Sequence, residues 1–395
     1  MGRKISISRL GAGLAFLLTL AATVFLIPKG NRAEIAGGLS LTPSALPTPS
    51  IWEEISLGQI SFGPPRVVLT DTLGFRIVGW ISNNEVLIRR DIRPGGRGSA
   101  MEVFNVRTRE VKRLAEGAFS GNPVWNPVRR AVVYLQYDEV RKQRDLIWQS
   151  LDTLEKKKLA SDVILPIVLI EGGKGAAAYS VKEKALTGRS IVPGAQVRNI
   201  PFAQYEMRVP TPYEWIYQTK VSPDGKWQVV FNIEHFLLVS TQTGQIKEID
   251  LGEEWGRKRW ALDAQWSPDG EKLAIIATIG RLPNTIRFLL LLDPKTEHVQ
   301  EIPVSRPFVI YHADWSPSGR FLLLSGAIDY KEGFAVVEHR LLDISTGEEH
   351  KLKLFPLDPL TGASFAWSPD GKKLIVNCTR PGLSALCTLS VEVQR

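Results

Sequence analysis

The chain has 395 residues, 44% of them hydrophobic, and a formal charge of +8 at pH 7. Five basic residues, Arg3, Lys4, Arg9, Lys29 and Arg32, precede the first acid, Glu34, so the other 363 residues carry only +3. That balance is ordinary for a soluble surface and excludes reading the charge as a nucleic-acid footprint.

In chain order, the first feature is Leu10 to Ile27, eighteen residues without a charge, preceded by Arg3, Lys4 and Arg9. Signal-peptide apolar cores are shorter, and no clean small-residue cleavage site follows. Residues 1–30 therefore read as a short cytoplasmic tail and an uncleaved transmembrane helix, with a cleaved signal peptide as the alternative. The excess of positive charge before the apolar run keeps the tail inside. The rest of the chain is then extracytoplasmic, or periplasmic or secreted if the segment is cleaved. Residues 31–50 contain Pro43, Pro47 and Pro49 among Ser and Thr and read as a semi-extended linker.

From Trp80 onward one phrase keeps returning. It is Trp266-Ser267-Pro268-Asp269-Gly270 and Trp367-Ser368-Pro369-Asp370-Gly371, with near-copies beginning at Val221 and Trp315 and eroded copies at Trp80 and Trp125. Successive copies start 45, 96, 45, 49 and 52 residues apart, and 96 is two steps of 48. Such a period marks a stacked-repeat architecture. Ser-Pro-Asp-Gly suits a type I turn closed by a left-handed glycine, and Asn84 takes the glycine's place in the first copy. An apolar strand follows each turn, such as Leu273–Ile276 or Phe321–Leu324, without strict alternation, as expected of strands covered on both faces. A second polar turn follows each phrase at a roughly constant distance, as at Asp293 to Glu297 and Asp343 to Gly347, and precedes a more polar strand. Four strands per repeat make a propeller blade.

The phrase and its strand pattern resemble the TolB-type, WD-repeat-like β-propellers of bacterial cell envelopes, over about Phe75 to the C-terminus. The resemblance implies an all-β, seven-bladed β-propeller spanning residues 51–395, with a six-bladed ring as the alternative, and supplies no catalytic residue. The double gap leaves room for an irregular third blade around Val163 to Pro212. The last repeat lacks its fourth strand, and Arg66 to Thr70 is the natural donor that closes the ring.

Catalytic patterns are nearly absent. His235, His298, His312, His339 and His350 show no metal-ligand spacing, although His235 and His312 could face the channel. Gly172-Gly173-Lys174-Gly175 lacks the first glycine and the hydroxyl of a phosphate loop. The pairs Arg89-Arg90 and Arg129-Arg130 and the run Lys156 to Lys158 read as solvated turns. No catalytic, cofactor or metal site is expected. The expected function is that of a membrane-anchored, non-catalytic module binding a protein or envelope component. The alternative is a lyase or hydrolase for a polysaccharide or peptide, with its site at a channel mouth. Function should sit on segments that leave the repeat. These are Arg90 to Ala100, and Thr187 to Trp215 with Arg189, Arg198, Tyr205, Arg208, Tyr213 and Trp215, types enriched at binding hot spots. Cys378 and Cys387 flank a hairpin turn. A two-residue turn at Gly382-Leu383 would put them directly opposite, in disulfide reach.

Overall fold

The computed structural model describes residues 57–393 apart from 93–97, 181, 184, 192–196, 202–217, 281–284, 332–333, 353–364 and 379–383. The proposed anchor and linker lie outside the described residues, and no helix among those described is long and apolar enough to cross a membrane.

Seven sheets carry the repeat. The chain enters through β1 (Ile60–Phe62) and β2 (Arg66–Asp71). Blade 1 is β3 (Phe75–Trp80), β4 (Glu85–Asp91), β5 (Ser99–Asn105) and β6 (Val111–Gly117). Blade 2 is β7 (Phe119–Asn126), β8 (Ala131–Asp138), β9 (Gln143–Ser150) and β10 (Lys156–Ser161). Blade 3 is β11 (Ile164–Ile170), β12 (Gly175–Ser180), β13 (Ala185–Ser190) and β14 (Val197–Pro201). Blade 4 is β15 (Gln218–Val221), β16 (Trp227–Phe231), β17 (Phe236–Ser240) and β18 (Ile246–Glu248). A small hairpin, β19 (Glu253–Glu254) and β20 (Arg257–Lys258), comes next. Blade 5 is β21 (Trp260–Trp266), β22 (Leu273–Ile279), β23 (Ile286–Leu292) and β24 (Val299–Ile302). Blade 6 is β25 (Val309–Trp315), β26 (Phe321–Lys331), β27 (Phe334–Asp343) and β28 (Glu349–Leu352). Blade 7 is β29 (Phe365–Trp367), β30 (Lys373–Asn377) and β31 (Ser384–Val393).

The first strands touch in sequence, β3 to β7, β11, β15, β21, β25, β29 and back to β3, so they form the inner ring. β31 takes its outer partner from the N-terminus: Asp71 to Arg66 pair along Ser384 to Thr388, and Phe62 to Ile60 along Val391 to Val393. The donor strand expected from Arg66 to Thr70 is therefore present, and β1 extends it past Gly63-Pro64-Pro65. Prolines suit this position because an outermost strand needs no further donors.

Seven apolar clusters fill the seven interfaces between neighbouring blades. In β22, Leu273, Ile275, Ala277 and Ile279 face blade 4, while Ala274 and Ile276 face blade 6. Burial of both faces is why these strands read as unbroken apolar runs.

The phrase turns serve the fold. Ser267 Oγ receives the Lys272 N–H at 2.9 Å and donates to Asp269 at 2.6 Å, and Asp269 receives the Glu271 N–H at 2.9 Å. Ser222 and Ser368 repeat this arrangement. Gly225, Gly270, Gly319 and Gly371 take φ near +70°. Asn84 does not take that conformation: its N–H turns to Ser82 Oγ at 3.4 Å instead. The phrase tryptophans tie blades together by donating to the preceding inner strand, Trp266 to Lys220 O at 3.1 Å, Trp315 to Gln265 O at 2.9 Å and Trp80 to Ala366 O at 2.8 Å.

Blade 3 has four strands, with a register shift between Ile164 and Ile167 of β11, and Ala176, Ala177 and Ala178 occupy β12 where other blades carry mostly Leu, Ile or Val. In front of it, β7 of blade 2 touches β15 of blade 4. Its Gly-rich phrase is a hairpin with Glu171, Gly172 and Gly173 all left-handed. Asn126 donates to Gly173 O at 2.8 Å, which makes the turn a blade contact rather than a phosphate cradle.

All phrases and second turns lie at one end of the strands, the turn face. The β-strand 2 to 3 loops and the blade-to-blade connections lie at the other, the loop face. Ile60 pairs with Val393 at the turn-face end of β31, so the chain enters there.

Candidate functional site

Among the described residues, the inner ring carries a cluster of ionisable side chains that spans several blades. Lys220 on β15 reaches Asp263 on β21 at 3.2 Å, and Asp263 accepts from His312 Nδ1 on β25 at 3.2 Å. His312 Nε2 donates to Phe365 O on β29 at 2.9 Å, and Asp314, two residues on, accepts the Trp367 N–H at 2.8 Å. The four groups bridge blades 4 to 7. Asp263 and His312 occupy equivalent places, three residues before Trp266 and Trp315. In each strand a β-bulge precedes them, between Ala261 and Asp263 and between Ile310 and His312, and re-aims the side chain.

The electrostatics follow from the geometry. Burial opposes ionisation of Asp263, but the Lys220 charge and the His312 hydrogen bond outweigh it and hold the carboxyl well below its usual range. Burial likewise opposes the His312 cation, and Asp263 outweighs it, so the imidazole pKa is raised. Burial pushes Asp314 up to about 6 against the pull of His312. A backbone carbonyl only accepts and Asp263 is held ionised, so both His312 nitrogens carry protons. The ring has no free lone pair for general-base work. His339 on β27, edge-on to Phe365 at 6.2 Å, is driven down to about 4 by burial and stays neutral.

Of the other histidines, His235 sits in the loop between β16 and β17 and bonds Glu248 at 2.7 Å, away from the inner ring. Among the described residues no group of three or more His, Cys, Asp or Glu could hold a metal ion.

The structure divides the expected Thr187 to Trp215 surface. Its first part is blade wall: Arg189 lies exposed on β13, and Arg198 lies on β14. Arg189 pairs with Val197 near the turn-face end of these strands. The reading of one continuous loop is therefore corrected, because blade 3 needs these residues as its third and fourth strands. Tyr205, Arg208, Tyr213 and Trp215 lie outside the described residues. The segment carrying them leaves β14 and enters β15 at the loop face. The other expected loop is also shorter, since Arg90 and Asp91 end β4 and Ser99 begins β5.

The arginine pair 89–90 is no solvated turn. Arg90 meets Glu102 at 2.9 Å and Asp71 at 3.5 Å, and Arg113 meets Glu102 at 3.0 Å. Asp71, Arg90 and Arg113 border an open cleft of about 390 Å³ at the loop face, walled also by Asp91 and Glu116. Lys156, Lys157 and Lys158 begin β10, and Lys158 pairs with Asp145 at 3.2 Å. Only Arg129-Arg130 lies in a turn, where Arg130 is left-handed and meets Asp152 at 3.1 Å.

Sequence reasoning missed the small hairpin at the loop face. Its turn is Trp255-Gly256, with φ of +50° and +68°, a geometry that favours Asn-Gly. Trp255 is 72% exposed. The base is rigid: Arg259 meets Glu254 at 3.0 Å and Glu301 at 2.8 Å and lies 4.0 Å over the Phe288 ring. Ile233, 50% exposed, stands at the same edge of blade 4, where the Ile249 N–H bonds Phe236 O. The signal was the eleven residues between β18 and β21, in which Trp255 precedes Gly256.

Neither a family model nor a curated protein matches the sequence. Among solved structures the chain is similar to an oligogalacturonate lyase from Vibrio parahaemolyticus, with a TM-score of 0.55 and 13% identity over 84% of this chain and 96% of that one. An oligogalacturonate lyase in complex with manganese gives 0.50 and 12%, over 84% and 90%. The β-propeller domain of Cps50 (Swd1) from Myceliophteria thermophila gives 0.49 and 12%, over 80% and 98%. At such identities the likeness is one of fold, and that fold is the β-propeller.

Proposed function

We infer that this chain is a non-catalytic binding propeller, anchored in the membrane by residues 10–27 and exposed outside the cytoplasm. The phrase resembling TolB-type propellers supports an envelope setting. One observation carries the non-catalytic reading: the histidine–carboxylate cluster on the inner ring is consumed in tying blades 4 to 7, with both His312 nitrogens already donating. The strand ends that flank the departures from the repeat, Asp91 and Ser99 in blade 1 and Pro201 and Gln218 between blades 3 and 4, lie at the loop face instead. The described chain enters at the turn face, so the loop face is the end we assign to a protein partner or envelope component.

Trp255 is the residue most suited to such contact, being exposed on a hairpin with a braced base and left-handed at some conformational cost. Trp255→Gly should raise the unfolding midpoint slightly, since glycine relieves the left-handed strain. In cells carrying the full chain, it should abolish the specific cross-linked species seen with wild type. Retention of that species would sink the reading. A reporter fused after Arg395 should be active only outside the cytoplasm.

The second reading is a polysaccharide lyase, favoured by the shared fold with oligogalacturonate lyases. The described residues do not gather a metal-ligand set, so no step through manganese is drawn. Release of unsaturated product from oligogalacturonate, lost in His312→Gln, would replace the binding reading with this one.

A further inference from the structure

On the outer flank of the ring, blade 2 meets blade 3 through β9 and β10 against β12 and β13. Trp148 of β9 lies in this interface, in the cluster that holds Ala176 and Ala178 of β12. The small alanines give its ring room. Trp148 is 6% exposed, and its indole N–H meets no acceptor among the described residues. A buried indole N–H ordinarily finds one.

A second unmatched group faces it. Thr187 of β13 is directly opposite Ala178, so it stands on the same sheet face and points at blade 2. Its Oγ1 is covered and has no partner among the described residues. Arg189, two residues on, shares that face by strand alternation, is exposed, and enters no ion pair among the described residues. From blade 2, Lys157 is directly opposite Trp148 and reaches Ile191 O of blade 3 at 3.4 Å and Glu155 at 3.4 Å. The four strands bring no carboxylate to this interface. Their one acid, Asp145, turns to Lys158 on the face towards blade 1. The groups left over can all donate: an indole N–H, a hydroxyl and a guanidinium.

We propose that the flank between blades 2 and 3 is a binding site for a carboxylate, formed by Trp148, Thr187 and Arg189 with Lys157 beside them. One carboxylate oxygen seated between the blades takes the Trp148 N–H and the Thr187 O–H together. The other meets the planar fork of Arg189, which reaches the ligand first. Lys157 and Arg189 against Glu155 leave one positive charge, which matches a carboxylate better than a doubly charged phosphoryl group. The site lies near the turn-face end of the flank, away from Trp255, and does not rest on the partner reading above.

The test is thermal unfolding of the full-length chain titrated with acetate or with inorganic phosphate, against chloride at matched ionic strength. Acetate should give a saturable rise of about 2–4 °C beyond chloride. Arg189→Gln should unfold as wild type does without acetate, since its side chain is exposed, and should lose the rise. Trp148→Phe keeps an aromatic ring on the alanines and removes only the N–H, so it should fold and respond several-fold more weakly. Thr187→Val carries the same test if that variant misfolds. No rise with acetate, a rise with phosphate alone, or an unchanged response in Arg189→Gln overturns the site.

Discussion

At the scale of single residues, the inner-ring cluster is governed by which atoms are already engaged. Four ionisable groups meet there, Lys220 on β15, Asp263 on β21, and His312 and Asp314 on β25, with His339 of β27 behind Phe365. Asp314 binds its proton more tightly folded than unfolded, with a folded pKa of about 6 against 3.8. Its contribution is therefore complete below about pH 4 and is lost as pH rises through 6. His339 runs the other way. Held neutral to about 4 against 6.5, it contributes stability above 6.5 that is lost as pH falls through 4. His312, raised, contributes below 6.5 and loses that contribution as pH climbs through its folded value. Asp263 changes only in stronger acid. Between pH 4 and 6.5 the Asp314 and His339 effects oppose each other, so wild type should show a shallow profile. Asp314→Asn keeps an acceptor for the Trp367 N–H and removes one effect. Its stability should rise with pH across this window, gaining roughly 1–3 kcal/mol on wild type near pH 7. Denaturant midpoints of the two proteins at pH 4 and 7 check this, and parallel profiles would refute it.

At the scale of one element, the last hairpin shows how register and turn length trade against each other. A two-residue turn would place Cys378 directly opposite Cys387. Instead Val376 pairs with Cys387 and the Cys378 N–H bonds Ala385 O, a shift of two residues. A two-residue shift leaves every side chain on its own face, so the cysteines stay together as a diagonal pair. Their Cα atoms are 5.8 Å apart and the sulfurs are bonded. Closing so short a loop contributes about 2–3 kcal/mol. Mass spectrometry of the purified chain should show neither thiol alkylated without reductant, and Cys378→Ser should lower the unfolding midpoint. Full alkylation before reduction would mean the bond does not form in the cell.

At the scale of the molecule, ring closure decides whether the repeats fold at all. β31 is ten residues long, and both its outer partners come from the N-terminus. Leu57 and Ile60 add to the blade 6–7 cluster, and Val68 and Leu69 pack on the blade 7–1 cluster. A chain starting at residue 51 should remain monomeric and unfold cooperatively. One starting at residue 73 should expose β31 and aggregate, as judged by size-exclusion chromatography. Equal behaviour of the two would mean that closure does not need these strands.

Much of this was legible in the chain itself. The phrase at Trp266, Trp315 and Trp367, spaced near 48 residues, determined the blade architecture and the order of the blades that carry it, because each turn chemistry is local; it left the ring at seven or six blades, since blade 3 lacks the phrase. The missing fourth strand at the C-terminus pointed to Arg66 to Thr70 for the same reason. The sequence did not show that Arg189 and Arg198 are blade wall, since the small residues of β12 and β13 mimic a loop's composition. Nor did it pair Asp263 with His312, 49 positions apart, or bring Trp148 and Thr187 to one interface. Those juxtapositions depend on which edge of one blade meets the next, and only the closed ring decides that.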